Sequence, residues 1–371
     1  MKTKQRLGLI SAGILLALVL GVALVSRRGG SSSPDTLAES GATSTPGAPG
    51  IAPRPTSGAR GAGVKVDPGQ PRSEPRPAGV LGTYGWGSGE EQLGRDRPEE
   101  GNPTAPMSLA FDLVGNVLVL DQVNGRLVRL GPDGKPRDTI PLTVQSAQDV
   151  AVARDGTIAV LDRFADKTIA LHDPTGKPIG NLPLEGKGLE QGGLGTGLFV
   201  DGDSVYVEAE HGPLIRVGGL DGKSDSDRPQ LPGRPSRDGK AFLSANLGPR
   251  GGNKVYVHAV ERASRQQRFS REYALHLPLL SIMMLDSDAS GVIYLAVSGE
   301  VAHPPEEVRP AHWVRLLCLD PLDGSPLGMA DLPSSSMPEE TFRDFAVADN
   351  GGVLYSVRTP EGVTLQHYTC R

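Results

Sequence analysis

A stretch of about forty residues that occurs twice in succession sets the tightest limit on how this chain can fold. Ser108–Asp121 (SLAFDLVGNVLVLD) leads into Gly125–Pro136 (GRLVRLGPDGKP). Gln148–Asp162 (QDVAVARDGTIAVLD) leads in the same way into Lys167–Pro178 (KTIALHDPTGKP). Registered on their turn glycines, Gly115 and Gly156, the copies lie 41 residues apart, the length of a four-stranded propeller blade. Inside each copy short β-branched and apolar runs alternate with glycine turns, and no helical period persists. A first strand (108–112, 150–153) meets a glycine turn. A second (117–120, 157–161) is closed by an aspartate. A third runs into an Asp-Gly or Thr-Gly hairpin, where a type I′ turn needs positive φ. A fourth (137–142, 179–184) completes the unit.

Weaker copies follow. The third unit is Leu198–Val207, with Glu208 where aspartate falls in the first two. A fourth puts Ala241–Ser244 and then Gly252–His258 in the places of the first two strands. A fifth takes Ile282–Asp288, Gly291–Val297 and Trp313–Gly324, and a sixth Phe342–Ala348, Gly352–Val357 and Val363–Tyr368. The sixth stops after its third strand, and Gly79–Gly85 supplies a natural fourth. Pairing that N-terminal strand with the last unit closes a ring and removes exposed sheet edges. The expectation is an all-β propeller of six four-stranded blades over residues 78–371. Five or seven blades stay open, because the fourth unit is poorly marked.

These residues resemble the NHL repeat. Pro106 with Leu109–Phe111, then Gly115–Asp121, then Asn124–Leu127 fit its opening, its core and its continuation. Lys167 stands in the second copy where the family has arginine. The detailed motif covers only about residues 105–185. The resemblance implies a propeller that binds through its flat, loop-lined faces. Related six-bladed propellers include lactonases and lyases that hold a divalent metal in the central channel, with ligands drawn from several blades.

Ahead of the repeats the composition changes. Lys2, Lys4 and Arg6 form a basic tail (1–6) before an unbroken apolar run at 7–25. At 1.5 Å per residue that run reaches about 28 Å, close to the hydrocarbon thickness of a bilayer. It ends at Ser26-Arg27-Arg28 without a small-x-small site, so a single transmembrane signal anchor is expected, with a cleaved signal peptide as the competing reading. The excess of positive charge on the N-terminal side stays in the cytoplasm, which places the propeller in the periplasm of a bacterial inner membrane. Residues 26–77 are rich in Pro, Gly and Ser and cannot bury enough apolar surface to order, so they read as a spacer. The formal charge of −5 and the absence of a basic block past the first residues argue against nucleic acid.

Candidate site residues are few. Asp121 with Arg126 and Asp162 with Lys167 recur at equivalent positions and read as bridges within a blade, a structural use. Glu208, Glu210 and His211 form the densest polar cluster, a weak candidate for acid–base or metal chemistry that reads better as an exposed loop. Arg262–Arg271 is a basic hairpin that could meet an acidic partner. The histidines show no metal-protease spacing, and no Gly-x-Ser-x-Gly elbow is present. No catalytic, metal or cofactor residue is nominated; Ca²⁺ or Zn²⁺ enters only under a lactonase-like alternative. Cys318 and Cys370 fall in adjacent blades, and a disulfide between them is open in an oxidising compartment. The functional expectation is a membrane-tethered scaffold for a protein or ligand in the cell envelope. A channel-metal hydrolase or lyase and a cell-wall carbohydrate sensor are the alternatives.

Overall fold

The computed structural model describes residues 77–370 apart from 277, 301–311 and 336. The expected basic tail, membrane anchor and most of the spacer lie outside the described residues. Among those described, no helix is long and apolar enough to cross a membrane.

Among the described residues the repeats fold into six sheets, each one blade of a β-propeller and antiparallel but for one two-residue parallel pair at the edge of the sixth. Blade one is Ser108–Phe111, Val117–Asp121, Arg126–Leu130 and Pro136–Pro141. Blade two is Ala147–Val152, Ile158–Asp162, Thr168–His172 and Pro178–Pro183. In both, the second strand is buried from end to end while the fourth is mostly exposed, with one buried residue each, Ile140 and Leu182. The reason is position. A strand inside a blade is covered on both faces by neighbouring blades and needs a continuous apolar run. An outer strand has one unpaired edge, which tolerates the prolines that begin and end each fourth strand.

Side chains along one strand therefore divide between two interfaces. Val117 and Val119 join Tyr84, Leu354, Val363 and Leu365 of blade six in one core cluster. Leu118 and Leu120 join Ala147, Val150, Ile158 and Val160 of blade two in the next. The core is thus a set of apolar seams between blades rather than one central mass.

Blade three comprises Gly195–Asp201, Ser204–Ala209, Leu214–Gly219 and Gln230–Leu231; blade five comprises Leu279–Ser287, Ile293–Glu300, His312–Leu319 and Pro326–Leu332. Blade six is Phe345–Val347, Val353–Arg358 and Gly362–Tyr368, completed by the N-terminal strand Gly79–Trp86 in antiparallel pairing with Gly362–Tyr368. A two-residue strand, Gln92–Leu93, adds to its outer edge. Tyr84 of the closing strand donates to the Gly134 carbonyl of blade one at 2.6 Å. Cys318 and Cys370 are joined by a disulfide with their Cα atoms 6.0 Å apart.

Blade four departs from the reading of the sequence. Ala241–Leu247 is its second strand and not its first; the third and fourth are Lys254–Glu261 and Gln267–Ala274. The innermost strand is only Arg234–Pro235, opposite Leu243 and Phe242. Two residues show no alternation of burial, so the blade's first strand leaves no periodic trace in the sequence.

Candidate binding cleft

The short inner strand of blade four has a local cause. Only Pro232 and Gly233 separate it from Leu231, which still pairs with Leu214 as the outer strand of blade three. The chain crosses between blades so abruptly that it reaches the inner position halfway along its partner. Gly233 permits this, since a Cβ there would stand 2.5 Å from the Leu243 carbonyl oxygen. Beyond the crossover the inner edge of Ser244–Leu247 has, among the described residues, no strand paired with it, and a cleft of about 1170 Å³ opens there between blades three, four and five.

Three walls define the cleft. On the blade-five side stand Leu280, Ile282 and Leu285, and the floor is Leu243, Ala245 and Leu247. The third wall mixes Pro213, Leu214 and Leu231 of blade three with the polar Glu208, His211 and, from blade four, Arg234. Glu208 occupies the position that aspartate holds at the end of the second strand in blades one and two. Asp121 and Asp162 are bound mainly by the loops beside them. Asp121 accepts from Gly94 N, Asn124 Nδ2 and Arg126 Nε at 2.8–2.9 Å. Asp162 accepts from the backbone of Ser146, Phe164 and Ala165. With one methylene more, Glu208 reaches across to the next blade. Its oxygens accept from Arg234 Nε at 2.9 Å and Nη2 at 3.1 Å, and from Thr196 Oγ1 at 3.1 Å. Burial opposes its ionisation, but His211, Arg234 and Thr196 outweigh burial and hold its pKa below the ordinary glutamate value.

Arg234 is fixed on every side. It also donates to the Leu285 carbonyl at 2.9 Å and stacks over the Phe199 ring, whose centroid is 5.1 Å away. Arg343 lies 5.2 Å from the same ring. This stack stands where the cleft meets a second cavity of about 500 Å³, the channel lined by the inner strands. Four carboxylates in or beside the channel hold arginines, whereas Asp112 accepts from Val114 N, Asn116 N and Asn116 Nδ2. Asp149, fully buried, accepts from Arg343 at 2.7 Å and also from Ser108 Oγ and Leu198 N. Asp286 and Asp349 both bind Arg237, and Asp201 binds Arg262. A carboxylate set neutralised by arginines is a poor fit for a divalent cation. Among the described residues, no three His, Cys, Asp or Glu side chains come together as metal ligands.

Arg126 Nε stands 2.9 Å from Asp121. Lys167 does not meet Asp162: its ammonium is 2.9 Å from Glu185, because Asp162 is turned into the backbone of its own loops. The cluster Glu208, Glu210 and His211 is not one exposed loop. Glu208 is a buried strand residue, whereas Glu210 and His211 form a turn with φ of 50° and 56°, and the His211 side chain is 78% exposed. Its Nδ1 is 3.6 Å from Glu208. Of the basic hairpin, Arg262, Arg268 and Arg271 are bound to Asp201, Glu261 and Asp323. Arg265 instead lies over the Phe242 ring at the cleft. Arg234, Asp149, Arg343 and Phe199 escaped the sequence reading. The one available signal was the Pro232-Gly233 pair, a turn dipeptide where a strand was due.

No family model matches the chain, and no curated protein matches it. Solved structures share its architecture at low identity. Hydrazine synthase of Kuenenia stuttgartiensis is 13% identical over 71% of this chain and 76% of that one, with a TM-score of 0.46. Virginiamycin B lyase of Staphylococcus aureus is 10% identical over 71% and 95%, with a TM-score of 0.38. Glutaminyl cyclase of Myxococcus xanthus is 14% identical over 71% and 89%, with a TM-score of 0.36. At these values the likeness concerns fold alone, and the chemistry of those proteins does not carry over.

Proposed function

We propose that this protein is a non-enzymatic binding propeller, NHL-like in its repeats, held outside the bacterial cytoplasm by a helix at residues 7–25. Its ligand or protein partner seats in the cleft beside blade four. The observation that carries this reading is the cleft itself: a large opening with an apolar floor, whose one carboxylate is neutralised by Arg234 and so is not poised to move a proton. The Cys318–Cys370 disulfide suits an oxidising compartment, in keeping with an extracytoplasmic domain. The metal-dependent alternative is disfavoured by the arginine partners of Asp149, Asp201, Asp286 and Asp349.

Site-specific photo-crosslinking in cells tests the reading. A crosslinker at Asn246, on the open rim of the cleft, is expected to give discrete adducts. One at Leu322, exposed in the outer hairpin of blade five, is expected to give none. Equal labelling from both positions, or from neither, refutes it.

A further inference from the structure

The cleft is bounded by an unfinished sheet, and the register shows which backbone groups are left over. In blade four Ser236 N donates to the Ala241 carbonyl at 2.9 Å, and Arg234 stands opposite Leu243. The odd-numbered residues of Ala241–Leu247 therefore turn their N–H and C=O groups to the inner side. The even-numbered ones serve the third strand, as Gly248 does in donating to Lys254 O at 2.8 Å. By this alternation Ala245 and Leu247 aim their backbone groups into the cleft, where, among the described residues, no strand pairs with them. A bare edge of this kind is a template for another strand.

We propose that the cleft binds an extended peptide by strand addition, the peptide taking the place that the inner strand of blade four leaves empty. The inference rests on the cleft being the binding site. The two faces of the missing strand position set the chemistry of the occupant. Towards blade five a side chain would meet Leu280, Ile282 and Leu285. On the other face it would meet Leu231 and His211 of blade three and Arg265 from the outer hairpin of blade four, and Arg265 has no carboxylate partner among the described residues. Side chains of a strand alternate between faces. The peptide that fits alternates apolar residues with polar ones, at least one of them acidic. Main-chain hydrogen bonds would supply affinity and the two walls the selectivity.

The test uses the purified full-length chain and synthetic fluorescent peptides of seven to nine residues, the lengths of the inner strands in blades three and five. One probe alternates valine and glutamate, a second valine and lysine, and a third repeats the first with alternate amides N-methylated. The first is expected to bind about tenfold tighter than either of the others: the third loses one or two hydrogen bonds, and the second sets like charge against Arg265. It should also slow hydrogen exchange at the Ala245 and Leu247 amides. Leu280→Asp and Arg265→Ala, both at exposed positions, should each weaken it about fivefold or more without altering the melting temperature. Equal binding of the N-methylated probe, binding without protection of those two amides, or no binding by any probe would overturn strand addition. Crosslinks from Asn246 in any of those cases would leave the cleft as the binding site and remove only the strand mechanism. Their absence as well would remove both.

Discussion

Glu208 shows how one methylene changes the work of a repeat position. Asp162 pins the loops around its own blade and Asp121 binds Arg126, Asn124 and the backbone of Gly94, whereas Glu208 ties blade three to the first residue of blade four by an ion pair. Its carboxylate is 4% exposed and Arg234 is 22% exposed. Removing one member of a fully buried pair costs roughly 3–5 kcal/mol. Arg234 keeps some access to water, so Glu208→Ala should cost less, about 2–4 kcal/mol in chemical denaturation. The pH dependence has a definite sign. The folded pKa of Glu208 lies below its unfolded value, so its contribution is complete above the ordinary glutamate range and is lost as pH falls through the folded pKa. Melting curves recorded between pH 7 and acid should therefore fall less steeply for Glu208→Gln than for the wild type. Parallel curves would show that the pair does not stabilise the fold.

Strands and turns were legible in proportion to how strongly they repeat. Blades one and two could be drawn from the sequence because each tight hairpin needs a glycine and each buried strand an apolar run. The closing strand Gly79–Trp86 was legible by subtraction, since the sixth unit lacked a fourth member. Blade four was misread by one strand, because Arg234–Pro235 is too short to alternate and Ala241–Leu247 resembles a first strand in composition. The cleft was not legible at all. It is made by a missing stretch of strand, and its ion pair joins residues 208 and 234, which no helical or strand spacing relates. Two glycines of similar conformation separate turn strain from blade contact. Gly115 has φ of 82° with open space around it, whereas Gly134 has φ of 76° and faces the Leu81 backbone of the closing strand. Gly115→Ala should cost about 1 kcal/mol from backbone strain alone. Gly134→Ala should cost at least about 2 kcal/mol, because the closing strand must also shift. Urea denaturation of the two variants measures the difference, and equal losses would mean that the blade-one hairpin does not support the closure.

A ring of blades is only as stable as the joint where it closes, because each apolar seam is held by its two neighbours. Two devices meet at this joint. The strand Gly79–Trp86 hydrogen-bonds along Gly362–Tyr368, and the disulfide from Cys370 reaches back to Cys318 in the third strand of blade five. The disulfide closes a sequence separation of 52 residues, which places Cys370 against Gly328 in the fourth strand of that blade. It therefore staples blade six to blade five on one side while the N-terminal strand binds blade six to blade one on the other. A cross-link over a loop of this size typically contributes about 2–4 kcal/mol, mostly by restricting the unfolded chain. Cys370→Ser should lose that amount in equilibrium denaturation, and reductant should bring the wild type down to the same midpoint while leaving the variant unchanged. Loss of the bond should also free Thr369 and Cys370, so that amide exchange rises in Gly362–Tyr368 before it rises in blades one and two. A wild type indifferent to reductant would show that the hydrogen-bonded strand closes the ring unaided. A variant that loses protection evenly around all six blades would show that the ring opens only as a whole.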